Sequence, residues 1–295
     1  MNSQSNLIIN RKRSILLLVL PTALALFIVL IPILYMFRVS LYPASNVSAH
    51  GAGWTLNNYI NILTDPFYLK ILGRTVLVGL GTGVFCTIIG YPVALYMSRC
   101  SARKQQIMTL LLVAPLYTSI IIRCYAWIVI LGNKGIINGF LNLVGINSIS
   151  MLYSYFSVYL GLVYVFLAYM ILSIFNVLVT IKKDVEEASM IMGASRMRTF
   201  IEVTFPLSLP GVFAGFLLDF VLSMGAYVVP ATLGGAKMGL IPNYVYSSVI
   251  NTFNWTQGSS LAFIYIITTF IVLILYFTIV KRFSRYLAGS TGVKK

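Results

Sequence analysis

Charge is what this chain has least of. Only 9% of its 295 residues are charged, and the acids are scarcest, six Asp and Glu against 21 Lys and Arg. Soluble domains carry roughly 25% charged residues, so a chain that is also 59% hydrophobic does not read as a water-soluble globule. A lone histidine, His50, and three cysteines, Cys86, Cys100 and Cys124, show no CxxC or Cys/His spacing. They leave little from which to assemble a transition-metal or histidine-based catalytic site. No Gly-x-x-x-x-Gly-Lys-Ser/Thr occurs, so the chain is not expected to bind and split nucleotide itself. The net charge of +15 would suit a nucleic acid only if the basic residues gathered on a soluble surface. They sit instead in short clusters at the ends of apolar runs, and no nucleic-acid partner is expected.

What is present is long apolar runs. A helix crossing the hydrocarbon core needs about 20 mostly apolar residues, because its backbone polar groups must be satisfied within the segment. Six runs qualify: Ile15–Phe37, Ile71–Met97, Met108–Leu131, Tyr155–Val179, Gly211–Leu233 and Leu261–Val280. The expectation is an all-α membrane protein of six transmembrane helices. Its parts are a cytoplasmic N-terminus at 1–14, a six-helix domain at 15–280 with a cytoplasmic loop at 182–206, and a cytoplasmic C-terminus at 281–295. With both termini inside, 15 of the 21 basic residues fall on the cytoplasmic side, as the positive-inside rule requires. The first run, 23 residues long, exceeds the apolar region of a signal peptide, about 7–15 residues, and reads as an uncleaved helix.

Local features follow from composition. Gly79 with Gly83, and Gly211 with Gly215, are small-xxx-small pairs that admit close helix approach. Tyr59, Ile62, Leu63 and Phe67 suggest a short amphipathic helix at the interface, and Ile136–Val144 suggests another. Pro115 breaks the third run, which also holds Arg123. An arginine within an apolar run costs about 2.5–3.5 kcal/mol on insertion scales. Arg123 therefore either faces a bundle interior or water-filled cavity, or snorkels to the outer interface. Asp219 is the one carboxylate inside a span, and it needs a cation, a donor or water.

The polar exception is Glu186–Pro210, EEASMIMGASRMRTFIEVTFPLSLP. Four of the six acids fall between Lys182 and Phe205, interleaved with Lys182, Lys183, Arg196 and Arg198. Asp184–Met192 has good helix formers with acids in the first turn, Gly193 permits a sharp turn, and Ser195 can cap a second helix. Pro206 and Pro210 mark the return into lipid.

The offsets in this loop resemble the signature of binding-protein-dependent ABC importer permeases. Glu187, Ala188, Gly193, Val203 and Pro206 match it, with Ser189 standing for its second Ala and Phe205 for its Leu. Asn58-Tyr59 with Asp65-Pro66, Tyr117-Thr118-Ser119 with Arg123, Lys134-Gly135-Ile136-Ile137-Asn138, and Gly234-Gly235-Ala236-Lys237 resemble the spermidine/putrescine permease branch. Permeases for opines, other amines and phosphonates are similar.

The resemblance implies a type I ABC importer (MetI-like) fold in the bacterial inner membrane and a transport subunit rather than an enzyme. The implied partners are a second permease subunit, in a heterodimer, two cytoplasmic ABC ATPase subunits, an extracytoplasmic solute-binding protein and membrane lipid. ATP and Mg belong to the partner ATPase, and this chain holds no cofactor. Asp184–Met192 matches the family's coupling helix, which makes Glu186, Glu187, Ala188, Ser189, Gly193, Ala194 and Ser195 the coupling candidates. For a cationic solute, Asp219 offers a negative site, with Tyr164, Tyr169, Tyr227 and Trp127 as cation–π partners. Alternatively Asp219 bonds to a neighbouring span or pairs with Arg123, itself a pathway candidate. An ion-coupled secondary transporter would be expected to show internal symmetry and ionisable relays, for which one Asp and one Arg are thin support. A membrane scaffold without transport activity is the remaining alternative.

Overall fold

In hydrocarbon the backbone finds no water, so an apolar chain of this composition folds as helices that bond internally. A computed structural model of the protein describes residues 2–44 and 51–290, with side chains at 19, 21–44 and 51–282. Met1, 45–50 with His50, and 291–295 with Lys294 and Lys295 lie outside the described residues, as do the side chains of Arg11, Lys12, Arg13 and Arg285. The long helices are α1 (Asn2–Ser40), α3 (Pro66–Arg99), α7 (Tyr155–Leu178), α10 (Phe205–Met224) and α12 (Trp255–Ser290). Shorter ones are α2 (Asn57–Thr64), α4 (Ala102–Val113), α5 (Ile120–Leu131), α6 (Ile136–Leu143), α8 (Lys183–Ile191), α9 (Arg196–Thr199) and α11 (Ile241–Tyr246). Among the described residues, six helical stretches are long and apolar enough to cross a membrane.

Two expected boundaries move, each at proline. The third run breaks at Pro115, as expected, and the stretch long and apolar enough to span there is Ile120–Leu143 rather than Met108–Leu131. A 3-10 turn at Ala114–Tyr117 and extended backbone at Thr118 part α4 from α5, because Pro115 has no N–H to continue the ladder. The fifth span begins earlier than Gly211. Pro206 sits in the first turn of α10, where a missing N–H costs nothing, and a π turn at Phe200–Thr204 joins α10 to α9 without a break. The chain therefore does not turn at Pro206 and Pro210. The second helix of the expected helix-turn-helix is the start of the fifth span, which ends at Met224 rather than Leu233.

The chain divides into two units, Met1–Thr64 with Val245–Ile264, and Asp65–Tyr244 with Tyr265–Lys295. In the first, Asn58 donates to the Ser40 and Tyr42 carbonyls at 3.0 and 2.8 Å, satisfying groups that the end of α1 leaves unpaired. Ser40 also meets the Tyr59 hydroxyl at 2.6 Å, and Ser260 donates to the Ser40 carbonyl at 3.1 Å. Phe37 packs edge-on against Phe263. The Asn58-Tyr59 pair thus ties α2 to the end of α1, and Ser260 with Phe263 ties the start of α12 to it.

The second unit is built on α3, α7 and α10, whose buried residues, among them Val78, Leu162, Met170, Ile171 and Val212, form its core. The predicted glycine pairs are the contact points. A Cβ on Gly79 would lie 2.7 Å from Met224, and on Gly83, 2.8 Å from Phe216. On Gly211 it would lie 2.8 Å from the Ser173 carbonyl, and on Gly215, 2.7 Å from the Met170 sulfur. The segment after α10 is pinned at the opposite end from α8. Arg74 donates to the Lys237 carbonyl at 2.6 Å, and Ser157 to the Leu233 carbonyl at 2.9 Å.

Gly215→Leu is expected to push α7 from α10 and cost roughly 1–3 kcal/mol, the range for overpacking. Gly73→Leu, at a glycine with nothing within 4 Å of the added atom, is the control. Thermal melting of the purified protein in detergent should fall for the first and hold for the second.

Candidate functional site

The polar loop forms a braced two-helix corner. Lys183–Ile191 makes α8, with Asp184 and Glu186 in its first turn where the helix dipole favours acids. The corner turns at Gly193, whose φ of +90° is a left-handed value that L side chains rarely adopt. Backbone bonds from Gly193 to Met190 and from Ala194 to Ser189 close it. Ser195 then caps α9, accepting from the Arg198 N–H at 3.3 Å.

Glu186 is the hub. It is 8% exposed, and both its carboxylate oxygens are held by the guanidinium of Arg99, the last residue of α3. Thr204, in the π turn, donates to Oε1 from a third direction at 2.8 Å. The fork of an arginine on a carboxylate fixes orientation as well as distance. Three residues along α8, Ser189 shares a hydrogen bond with Thr199 at 3.2 Å. Behind the ion pair Tyr91 bonds to Ser208 at 2.8 Å and packs its ring on Phe200 and Phe205. An open cleft of about 690 Å³ lies against Arg99, Glu186, Arg196 and Phe200.

The coupling candidates thus split by what they touch. Glu186 and Ser189 face inward and fasten α8 to the membrane helices. Glu187, Ala188, Gly193 and Ser195 stand exposed, with Ala194 half-buried. Ile191, at 86% exposure, and Met192, at 82%, crown the same corner. Arg99 and Thr204 were not among the sequence candidates. Their signal was faint: α3 ends on an arginine, but Lys182 and Lys183, four and three residues before Glu186, offered nearer partners.

Of the pathway candidates, the structure brings three together. The Arg123 guanidinium lies 6.0 Å from the Tyr164 ring centre, and Trp127 meets Tyr164 edge-to-face at 5.6 Å. Nε and Nη1 of Arg123 are buried without a hydrogen-bond partner. Tyr169, further along α7, packs against Phe166, and the Tyr227 carbonyl accepts from Asn243 at 3.0 Å. Asp219 has no exposed surface, and neither carboxyl oxygen has a hydrogen-bond partner. It sits in the packing of α3, α7 and α10 within interaction range of the Cys86 thiol. Arg123 and Asp219 do not pair: the ion pairs among the described residues are Arg99–Glu186 and Arg198–Glu202.

The corner lies between two membrane helices, with glycine at its turn. Residues 87–287 match the family described as binding-protein-dependent transport system inner membrane component. The chain belongs to this family. It is a multi-pass transport component of the inner membrane. Over 281 residues it is 32% identical to the spermidine/putrescine transport system permease protein PotB of Haemophilus influenzae, covering 94% of this chain and 98% of that one. It is 31% identical over 255 residues to PotB of Salmonella typhimurium, covering 86% and 88%. Among solved structures, a bacterial ABC transporter that imports the acidic polysaccharide alginate superposes with a TM-score of 0.76 at 12% identity, covering 95% of this chain and 99% of that one. That likeness carries the fold of an ABC importer membrane subunit and nothing of the cargo.

Arg99→Ala, which leaves the buried Glu186 carboxylate without its cation, is expected to cost about 1–3 kcal/mol, and Glu186→Gln, which leaves an Arg99 side chain already 45% exposed, should cost less. The double variant should cost less than the sum, because both remove one pair. Thermal denaturation of the four proteins, compared as a double-mutant cycle, measures this.

Proposed function

We propose that this chain is a permease subunit of an ATP-driven importer and forms, with a second permease subunit, the pathway for a polyamine of the spermidine/putrescine class. The observation that carries the solute class is the 31–32% identity to spermidine/putrescine permeases over most of the chain. The partners are a second permease chain, two cytoplasmic ATPase subunits that hold ATP and Mg, and an extracytoplasmic solute-binding protein. The loop at 182–206 and both termini lie in the cytoplasm, in keeping with the bias of basic residues.

In this reading the exposed side of the corner, Glu187, Ala188, Gly193, Ala194 and Ser195, meets the ATPase. Glu186 and Ser189 carry the resulting displacement through Arg99 to α3 and through Thr204 and Thr199 to α10. An ion-paired fork and two hydroxyl contacts transmit a push because each holds direction as well as distance. Arg123, Trp127 and Tyr164, with Tyr169 and Tyr227, line the pathway. Asp219 serves it only in a conformation that parts α3 from α10.

One observation favours a second solute class in the same family. Nε and Nη1 of Arg123, buried without a hydrogen-bond partner, suit a solute that carries an anionic group, such as an opine or a phosphonate, and a polyamine has none. Uptake of labelled spermidine and putrescine into liposomes bearing the assembled complex separates the two. Polyamine uptake driven by internal ATP supports the first. Uptake competed by an opine or phosphonate and indifferent to polyamine supports the second.

For coupling, Gly193→Pro, which cannot adopt a φ of +90°, and Glu187→Lys should leave the complex assembled and abolish most uptake while ATP hydrolysis persists. Normal uptake in both would remove the corner from the mechanism. Asp219→Asn should lower uptake if the buried carboxyl meets the solute during the cycle, and unchanged uptake takes it out of the pathway.

A further inference from the structure

The ends of α10 and α12 nearest the loop enclose a second cleft, of about 510 Å³, which the transport reading does not use. Its walls are Pro206, Pro210, Phe213 and Leu217 on α10 and Phe277 and Val280 on α12. The volume lies within the ~300–1,000 Å³ typical of ligand pockets. Its back is rigid, because Tyr276 stacks on Phe216 with ring centres 5.7 Å apart and donates its hydroxyl to the Phe213 carbonyl at 2.7 Å. The tyrosine thus spends its polar group internally and leaves an apolar wall. Pro210 and Phe277 are exposed, so the cleft is open to one side.

The rim of this cleft has a different character. Directly after Val280 come Lys281 and Arg282, both exposed. Lys281 follows Phe277 by four residues and so continues its stripe along α12. On the other wall, the residue four before Pro206 is Glu202, already paired with Arg198 at 2.9 Å. Arg198, Lys281 and Arg282 against Glu202 leave the rim with two uncompensated positive charges. Pro210 also supplies no N–H to the Pro206 carbonyl one turn back, which leaves an acceptor near the rim. An apolar cleft opening at a basic rim with a free acceptor matches one kind of molecule that surrounds an inner-membrane protein.

We propose that this cleft binds one anionic phospholipid, its acyl chain along Phe213, Leu217 and Phe277 and its headgroup at Lys281 and Arg282. A headgroup with hydroxyls, as in phosphatidylglycerol, also provides a donor for the Pro206 carbonyl. Zwitterionic phosphatidylethanolamine leaves the two positive charges unmet. The site is independent of which solute is carried, since none of its residues belongs to the pathway or coupling sets.

The test is native mass spectrometry of the assembled, delipidated complex titrated with phosphatidylglycerol or phosphatidylethanolamine. One phosphatidylglycerol per copy of this chain should bind with preference. The pair Lys281→Ala and Arg282→Ala, which touches no packing contact, should weaken it about tenfold through lost attraction to the anionic headgroup. Ala214→Trp, at an exposed position of the cleft wall, should block it. Equal binding of the two lipids, or binding unchanged in the charge variant, overturns the proposal. So does an Ala214→Cys variant that cross-links to the second permease subunit, because the cleft is then a protein interface.

Discussion

Three helices of this protein approach one another where a side chain is missing, and that constraint organises the larger of its two units. At Gly211 the neighbour is a backbone carbonyl of α7, which has no rotamer with which to yield. At Gly79, Gly83 and Gly215 the neighbours are Met224, Phe216 and Met170, each filling the space that a Cβ would take. In lipid, helix association draws little from the hydrophobic effect, and contact area at small residues replaces it. The same closeness seals Asp219 between α3, α7 and α10 with no partner for its oxygens. A carboxyl in that position costs stability, which the packing of the helices around it has to offset.

The loop corner is held to this three-helix body by few but directional contacts. The α3 helix, entirely separate in sequence, ends on the arginine that forks onto Glu186, and α10 begins immediately after the threonine that completes the grip. On the exposed half, Gly193, Ala194 and Ser195 close the turn and cap α9, while Glu187 and Ala188 stay at the surface. The division follows α8's own geometry, in which Glu186 and Ser189 share one face and Glu187 and Ala188 another.

Much of this was legible in the sequence. Apolar length gave the six spans, and glycine pairs gave the contact points, because both are properties of local composition. Gly193, between two stretches of good helix formers, marked the turn of the corner. What stayed hidden depended on distance or on context. Arg99 and Glu186 lie 87 residues apart, and nothing local to either announces the other. Pro206 and Pro210 read as breakers, yet the helix runs on through both: the π turn before Pro206 absorbs its misfit, and Pro210 leaves only the Pro206 carbonyl without its helical donor. Arg123 and Asp219, opposite charges in the third and fifth apolar runs, invited pairing; their helices put them in different surroundings, one beside aromatic rings and the other inside the packing.

The π turn at Phe200–Thr204 has a consequence for how the corner is measured out. Thr199 and Thr204 are five residues apart, and in an uninterrupted α-helix they would point about 140° away from each other. Ser189 and Glu186, which they grip, stand three apart on a single face of α8. One widened turn brings the two threonines round to the same side, so that helices of unequal spacing mesh at two teeth. The chain keeps this vernier where the amphipathic corner becomes a membrane span, and its setting is a single residue of surplus length.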